Sequence, residues 1–487
     1  MKSQRNFSRT EAKRVGNVTI ILAIFLSLCV LSIIKSHFAP YVKSDEPVVF
    51  EEERKESLKI EKEETKETAE TADSAAIEDE DDEAETETDT KAKAKAEAEA
   101  VDLSKPTCYE SSRRSDTCEA AGDVRVQGRT QTVYIQPLAQ EWKIKPYCRK
   151  HDAFALSHVK EWTLKPFSAA RPPPPCTRNH SATAMIFSNG GFTGNLFHDY
   201  TDVLVPVFIS SFGYHAEVQF LVSSLKPWWI SKYLLIFQQL SKYDIIDVDN
   251  DDEVHCFPRA VVGPTFHKEL GVDAGKTAGG YSAVDFRKLL RRAFGLERAA
   301  AAPSGDQWDI RRRPRLLIIS RKNSRTFLNE RAMVDMATSL GFDVRVGEPD
   351  INTDVAKFAR LVNSADVMVG AHGAGLTNMV FLPAGAVLIQ IVPFGGLEWL
   401  ARGTFQEPAK DMEIHYIEYK IRLDETTLSE QYHTDHPVLK DPFSVHKQGW
   451  DALKTVYLDK QNLRPHLGRL KNTLLEALRL LPHSHSH

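Results

Sequence analysis

Apolar and polar positions divide the chain into contrasting stretches. Gly16 to Ile34 is almost unbroken apolar sequence, about 19 residues and long enough to span a bilayer. Residues 43–105 are rich in Glu, Asp, Lys, Ala and Thr and nearly lack aromatic side chains, so they cannot bury a core and read as a solvated spacer. From Thr107 onward, short apolar runs alternate with amphipathic ones. Ala182–Ser188, Val218–Ser223 and Arg259–Gly263 predict strands. Leu196–Phe208, Tyr233–Leu240 and Tyr281–Phe294 predict helices, the last with Phe286, Leu289, Leu290 and Phe294 at helical spacing. An Ala-, Gly- and Arg-rich stretch broken by Pro303 and Pro314 interrupts the alternation, which then restarts. Strands are expected at Leu316–Ser320, Asp343–Val346, Asp366–Gly370 and Ala386–Ile391, with helices at Glu330–Leu340, Asp354–Ala365 and Leu376–Leu382. Val445–Leu481 predicts closing helices.

This alternation predicts an α/β chain with two doubly wound, Rossmann-like domains facing a cleft, each with its ligand edge at the strand C-termini. The expected organisation is a tail (1–15), a membrane anchor (16–34), an acidic disordered stem (35–106), a first α/β domain (107–296), a linker (297–314), a second α/β domain (315–444) and C-terminal helices with a tail (445–487). Lys2, Arg5, Arg9, Lys13 and Arg14 precede the anchor and acidic residues follow it, which puts the head in a lumen. The lack of a small-x-small site near the end of the apolar run predicts an anchor that stays uncleaved. The net charge is −5, but residues 43–100 carry an excess of about 14 acidic groups, leaving the remainder positive by about 9. A mildly basic head suits an anionic ligand, and no nucleic-acid motif accompanies it.

The cysteines fit a luminal head. Cys108, Cys118, Cys148, Cys176 and Cys256 follow the anchor. The number is odd, so at least one is unpaired within the chain. Cys256 stands apart and is the expected unpaired one, with bridges among Cys108, Cys118, Cys148 and Cys176. Asn179-His-Ser181 is a sequon that marks Asn179 as a glycosylation candidate.

Candidate chemistry gathers at two places. Val367-Met-Val-Gly-Ala-His-Gly-Ala-Gly-Leu-Thr-Asn378 is a strand, a small-residue loop and a helix start. Glycines let the backbone approach a phosphate, and a helix N-terminus offers free N–H groups. His372, Gly373, Ala374, Gly375, Leu376 and Thr377 therefore form a candidate anion loop. Arg321 and Arg325 follow the strand Leu316–Ser320 and are suited to a diphosphate. Asn329-Glu330 opens the next helix, and Glu330 could hold a ribose hydroxyl pair; solvated arginines and a capping Asn329 are the plainer alternative. In the first domain, Asn195-Leu-Phe-His-Asp-Tyr-Thr-Asp202 sets His198 and Asp202 four apart on one helix face. A His–carboxylate pair can act as a general base, although such pairs also occur purely as structural caps. Asp199 adjoins it. No metal motif stands out: Asp249–Asp252 is a turn-like acidic patch, and His483, His485 and His487 belong to the tail.

These pieces together resemble glycosyltransferase family 61 in its plant Golgi branch. The resemblance rests on Cys118-Glu-Ala-Ala-Gly-Asp123 with Val124-Arg125, on Asn195-Leu-Phe-His198…Asp202, and on Tyr281–Arg287 through Ala293–Leu296. It continues through Ile319-Ser-Arg321…Arg325…Asn329-Glu330, the Gly370–Asn378 loop and Tyr457-Leu-Asp-Lys-Gln461, covering residues 107 to 465. The resemblance implies a GT-B type, inverting transferase that uses a UDP-sugar, moving xylose or arabinofuranose onto xylan or xylo-oligosaccharides. It implies His198, Asp199 or Asp202 as the base, and Arg321, Arg325 and the His372 loop on the diphosphate. It implies a single-pass type II protein of the Golgi membrane, able to work beside other xylan-synthesis enzymes. No cofactor is required on this reading; a divalent cation such as Mn2+ is compatible, but no motif calls for it. Two other readings carry different consequences: a β-1,2-xylosyltransferase acting on the N-glycan core, and an inactive GT-B scaffold that binds glycan.

Overall fold

The computed structural model describes residues 107–136, 138–301 and 313–482. The expected tail, anchor and stem, residues 302–312 of the expected linker and the last residues from 483 lie outside the described residues. No helix among the described residues is long and apolar enough to cross a membrane.

Two sheets organise the described chain. The first contains β1 (Thr107–Ser112), β2 (Ser115–Gln127), β3 (Thr132–Ile135), β4 (Trp142–Ile144), β5 (Trp162–Pro166), β6 (Arg178–Asn179), β7 (Thr183–Ser188), β8 (Val218–Ser223), β9 (Ile246–Asp247) and β10 (Val254–Val262). Its order is β4-β5-β3-β2-β10-β7-β8-β9, with β1 on β2 and β6 on β10. β10, β7, β8 and β9 run parallel, whereas β2 is antiparallel to β1, β3 and β10. The sheet is therefore mixed, not the purely doubly wound sheet expected. Its parallel part matches the apolar runs, since β7 and β8 are buried at every position. The antiparallel part is hard to see in sequence because β2 buries mostly small residues: Ser115, Thr117, Cys118 and Ala120 come before Val124 and Val126.

The second sheet is wholly parallel, in the order β12-β11-β13-β14-β15. Its strands are β11 (Arg315–Ile319), β12 (Asp343–Gly347), β13 (Val367–Ala371), β14 (Val387–Val392) and β15 (His415–Lys420). The first four fall where the alternation predicts them. β15 adds an edge strand that half-exposed positions conceal.

Helices line both sheets: α1 (Ala153–Ser157), α2 (Leu196–His198, Asp199–Leu204 and Val205–Ser211 in continuation), α3 (Pro227–Leu240), α4 (Ala283–Phe294), α5 (Glu330–Ser339), α6 (Val355–Asn363) and α7 (Leu467–Leu480). The middle of α2 is a π turn, i→i+5 bonded, and burying it needs six residues in a row to be inside. Such wide turns concentrate at functional sites. α4 begins with a capping box between Ser282 and Asp285 and ends at Gly295 in the left-handed region. It packs between the sheets. Phe286 meets Tyr200 and Phe208, Phe294 meets Phe381 edge-on at 5.5 Å, and the buried Arg287 donates to the carbonyls of Leu382 (2.6 Å) and Met412. One continuous apolar core thus runs from Phe187 and Phe220 to Ile318 and Ile389.

Candidate active site

The first element of the site follows β7. Asn195 caps α2 by accepting from the N–H of Phe197 at 3.1 Å. The next turns carry the His198, Asp199 and Asp202 side chains to different fates. Asp199 is buried and accepts from Trp229 Nε1 (2.7 Å), Tyr233 Oη (2.8 Å) and the Gly194 N–H (2.9 Å). Burial pushes its carboxyl up, against the pull of these donors. Its oxygens are committed to pinning α3 and the Gly194 turn, so it has no geometry for taking a proton from a ligand.

Asp202 is also buried, but its Oδ2 receives His198 Nδ1 and Tyr147 Oη, each at 2.9 Å, with Arg149 Nε 3.6 Å away. Burial alone would push this carboxyl up; Arg149, His198 and Arg114 outweigh it and hold it at about 2. Asp202 is therefore ionised, and His198 presents its Nδ1–H to it. That fixes the tautomer with the lone pair on Nε2, which has no protein partner among the described residues. The imidazole lies against the Phe192 ring at 4.4 Å and 27°. An oriented, ionised carboxylate behind an imidazole is the arrangement that makes histidine a general base.

The second element is the loop after β13. A 3-10 helix, Ala374–Phe381, begins two residues earlier than the predicted helix. Ala374 and Gly375 are half-buried, and Leu376 and Thr377 are fully buried, the Thr377 hydroxyl without a partner among the described residues. Gly373 has φ 140°, and a Cβ there would lie 2.9 Å from Arg321 Nη1 and 3.1 Å from Arg325 Nη1. Only glycine lets both guanidiniums close over this backbone. Arg325 itself sits at φ 55°, a costly conformation for a long side chain. Its N–H donates to the Gln461 carbonyl at 2.7 Å and its Nη1 to the His372 carbonyl at 2.9 Å.

Neither Arg321 nor Arg325 forms an ion pair with a carboxylate among the described residues, and Arg325 Nε is buried without a partner. Burial, with Arg321 adding to it, pushes Arg325 down to about 9; burial also lowers Arg321. A buried and a half-buried like charge, with Asp459 attracting both only from beyond ion-pair distance, are costly. Such a pair of guanidiniums is suited to an anion. His372 does not add a third charge. Tyr416 Oη donates to Gln390 Oε1 (2.8 Å), so the Gln390 amide donates to His372 Nδ1 (2.6 Å). The ring proton is then on Nε2, and burial, Arg325 and Arg321 push the imidazole down to about 3. The sequence left open whether His372 gives a donor or a charge; the surroundings make it a neutral donor.

That neutrality has a pH signature. His372 has an ordinary value of 6.5 and is held at about 3 when folded. Between these values the unfolded chain binds a proton that the native protein refuses, so stability is full above pH 6.5 and falls as pH drops towards 3. The depressed Asp202 acts in the same direction, its contribution being lost as pH falls from about 4 through about 2. We expect the denaturation midpoint to fall from about pH 7 to about pH 5, and His372→Asn to flatten that decline. An equal decline in the variant would show that His372 does not titrate this way.

The two elements adjoin. The first turn of α2 packs against the 3-10 helix. Phe405, in the widened turn Arg402–Gln406, meets the Phe197 ring at 6.1 Å and the His372 ring at 5.7 Å. Of the other candidates, Asn329 does not cap α5; its amide donates to the Pro465 carbonyl at 2.8 Å. Glu330 opens α5, half-buried. Asn179 is exposed on β6. Sequence reasoning missed Tyr147, Arg149, Trp229, Tyr233, Gln390 and Tyr416, which hold the named residues from distant segments. No local spacing signals them.

The cysteine expectation needs correcting. Cys108 pairs with Cys118 across β1 and β2, and Cys176 pairs with Cys256. Cys148 is the free one, buried, its thiol donating to the Pro264 carbonyl at 3.1 Å. Cys256 is remote in sequence, but β6 lies beside β10 and carries Cys176 to it. Asp123 stands near Cys176 and Cys256 in a grouping that could suggest metal ligands, but the disulfide uses both sulfurs.

A parallel sheet edge thus carries a cationic loop, and the helix turn packed against it carries an oriented histidine. The family profile described as Glycosyltransferase 61 matches residues 194–389, which include His198, Asp202, Arg321, Arg325 and His372. An alpha-1,3-arabinosyltransferase of Oryza sativa subsp. japonica is 46% identical over 380 residues, 77% of this chain and 65% of that protein. A beta-1,2-xylosyltransferase of the same species is 39% identical over 394 residues, covering 77% of this chain and 84% of that protein. A xylan glycosyltransferase of Arabidopsis thaliana is 37% identical over 393 residues, covering 76% and 78%. The match spans less than two thirds of the rice arabinosyltransferase's length. The chain belongs to glycosyltransferase family 61.

Proposed function

We propose that this chain is an inverting glycosyltransferase of GT-B type that moves a pentose, xylose or arabinofuranose, from a UDP-sugar onto the xylan backbone. The observation that carries the reading is the buried Arg325 and half-buried Arg321, neither ion-paired to a carboxylate among the described residues, together with the His198–Asp202 pair. The names of the relatives supply the sugar and the acceptor. In this reaction the acceptor hydroxyl attacks the anomeric carbon opposite the diphosphate. Its proton passes to Nε2 of His198 while the carbon–oxygen bond to the diphosphate breaks and its electron pair leaves with UDP. Asp202 steadies the imidazolium that forms. Arg321, Arg325, the His372 Nε2–H and backbone N–H groups of the Gly373–Thr377 loop receive the charge that develops on UDP. Glu330 is suited to the ribose hydroxyls. The guanidinium charge does what a divalent cation does in other sugar transferases, so activity should survive chelation.

The chain works as a single-pass type II protein of the Golgi membrane on this reading. Two disulfides in the head suit an oxidising lumen. The test is incubation of the purified protein with xylo-oligosaccharides and UDP-xylose, UDP-arabinofuranose or UDP-N-acetylglucosamine, following product mass and anomeric configuration. Gain of one pentose from a single donor, with inversion, is expected. Transfer from neither pentose donor, with UDP still bound, would remove the reading and turn attention to the N-glycan core.

A further inference from the structure

We infer that the open face of Phe154, at the outer end of a stack of rings running from His198, is the platform on which a non-reacting sugar of the acceptor chain lies; this rests on the proposed glycan transfer. Phe192 stacks on His198 at 4.4 Å and 27°, and Phe154 stacks on Phe192 at 5.5 Å and 24°. Phe154 is left 63% exposed at the outer end. A single exposed phenylalanine is ordinary. This one is continuous, ring upon ring, with the imidazole proposed to take the acceptor proton.

The platform is also built to stay put. Phe154 stands on α1, whose N-cap Asp152 accepts from the Ala155 N–H at 2.9 Å. The segment after α1 lies against the turn that carries Phe192. A Cβ on Gly190 would fall 2.1 Å from the His158 carbonyl oxygen, so only glycine allows this approach. Arg149 faces the Phe192 ring at 5.6 Å while holding Asp202 and Asp152. One guanidinium therefore fixes both the platform and the carboxylate behind His198. Holding an exposed ring this firmly costs little further entropy on binding.

The chemistry selects the occupant. An aromatic face is electron-rich, and the C–H faces of a pyranose are its apolar, weakly positive surface. A pentopyranose unit has no hydroxymethyl group, so both its faces can lie flat on a ring. A chain of such units, one of them at His198 Nε2, would lay a later unit on the open face of Phe154, since the faces of Phe192 are taken by His198, Phe154 and Arg149. The cationic loop of Arg321 and Arg325 takes no part in this ring stack and is left for the donor.

The test compares xylobiose with xylohexaose by calorimetric titration of the whole protein, in wild type, Phe154→Ala, Phe154→Gln and Phe154→Trp, with UDP affinity measured alongside. We expect xylohexaose to bind more tightly than xylobiose. Phe154→Ala and Phe154→Gln should weaken xylohexaose by roughly tenfold and Phe154→Trp should restore it. UDP affinity, which this patch does not touch, should hold in all of them and so reports intact folding. Equal affinity for the two lengths in wild type, or xylohexaose affinity unchanged in the alanine and glutamine variants, would overturn the platform. Binding of neither xylan fragment, but Phe154-dependent binding of an N-glycan core oligosaccharide, would keep the platform and discard xylan as the acceptor. Binding of no glycan at all would discard both.

Discussion

His198→Ala lowers the rate of sugar transfer by about 10²–10⁴-fold and leaves UDP affinity nearly unchanged. That range is the usual contribution of a positioned acid–base group. The expectation rests on His198 having one nitrogen anchored to Asp202 at 2.9 Å and the other without a protein partner among the described residues. Asp199 cannot substitute, because Trp229, Tyr233 and Gly194 already occupy its oxygens. Asp202 cannot reach a substrate either, being fully buried behind the imidazole. Single-turnover measurements with saturating donor separate chemistry from binding. A rate within a few-fold of wild type would remove His198 as the base.

Arg325→Met gives the second large effect, and it has two parts. UDP affinity falls by about 100-fold, as expected when a buried charged donor to an anion is removed. The free protein becomes more stable at the same time. In the free protein Arg325 carries a buried charge with no ion-paired carboxylate among the described residues, Asp459 attracting it only from farther away. Methionine keeps the length of the apolar stem and removes the charge that burial penalises. Lost binding together with gained stability is the mark of a group held at a cost for function. Thermal melts with and without UDP report both parts. Undiminished UDP affinity would show that the diphosphate does not sit at this loop. A destabilised free protein would show that Arg325 is a structural residue.

The parts of the molecule legible from sequence are those whose chemistry is local. β7, β8, β11, β13 and β14 are continuous apolar runs because both sheet faces are covered. The i, i+4 relation of His198 and Asp202 is likewise visible in one helix. What escaped reading depends on contacts between distant segments. β2 relies on small buried residues, so no apolar run announces it. Cys256 reaches Cys176 only because β6 lies along β10. The tautomer of His372 is set by Gln390 and, beyond it, Tyr416, on two further strands, and its neutrality by burial with Arg325 and Arg321. The freedom of His198 Nε2 depends on Tyr147 and Arg149 holding Asp202 from a loop some fifty residues earlier in the chain. Local pattern identifies the reactive groups; their protonation states belong to the tertiary structure.

The position of α4 bears on how chimeric enzymes should be cut. By chain order Ala283–Phe294 belongs to the first sheet, and the Ala- and Arg-rich stretch after it looks like the natural junction for exchanging halves between relatives. Yet this helix packs on α6 and on the 3-10 helix of the second half, and Arg287 is satisfied from there, by the carbonyls of Leu382 and Met412 with the Glu413 carboxylate 3.9 Å away. A recombinant joined at that stretch would bring a foreign α4 against a surface it was not shaped for, with a buried guanidinium that must find its acceptors. A crossover before Ser282 keeps the helix with the half that satisfies its charge, and moves the mismatch to the aromatic contacts with Tyr200 and Phe208. Those contacts are apolar and tolerate repacking far better than an orphaned arginine does.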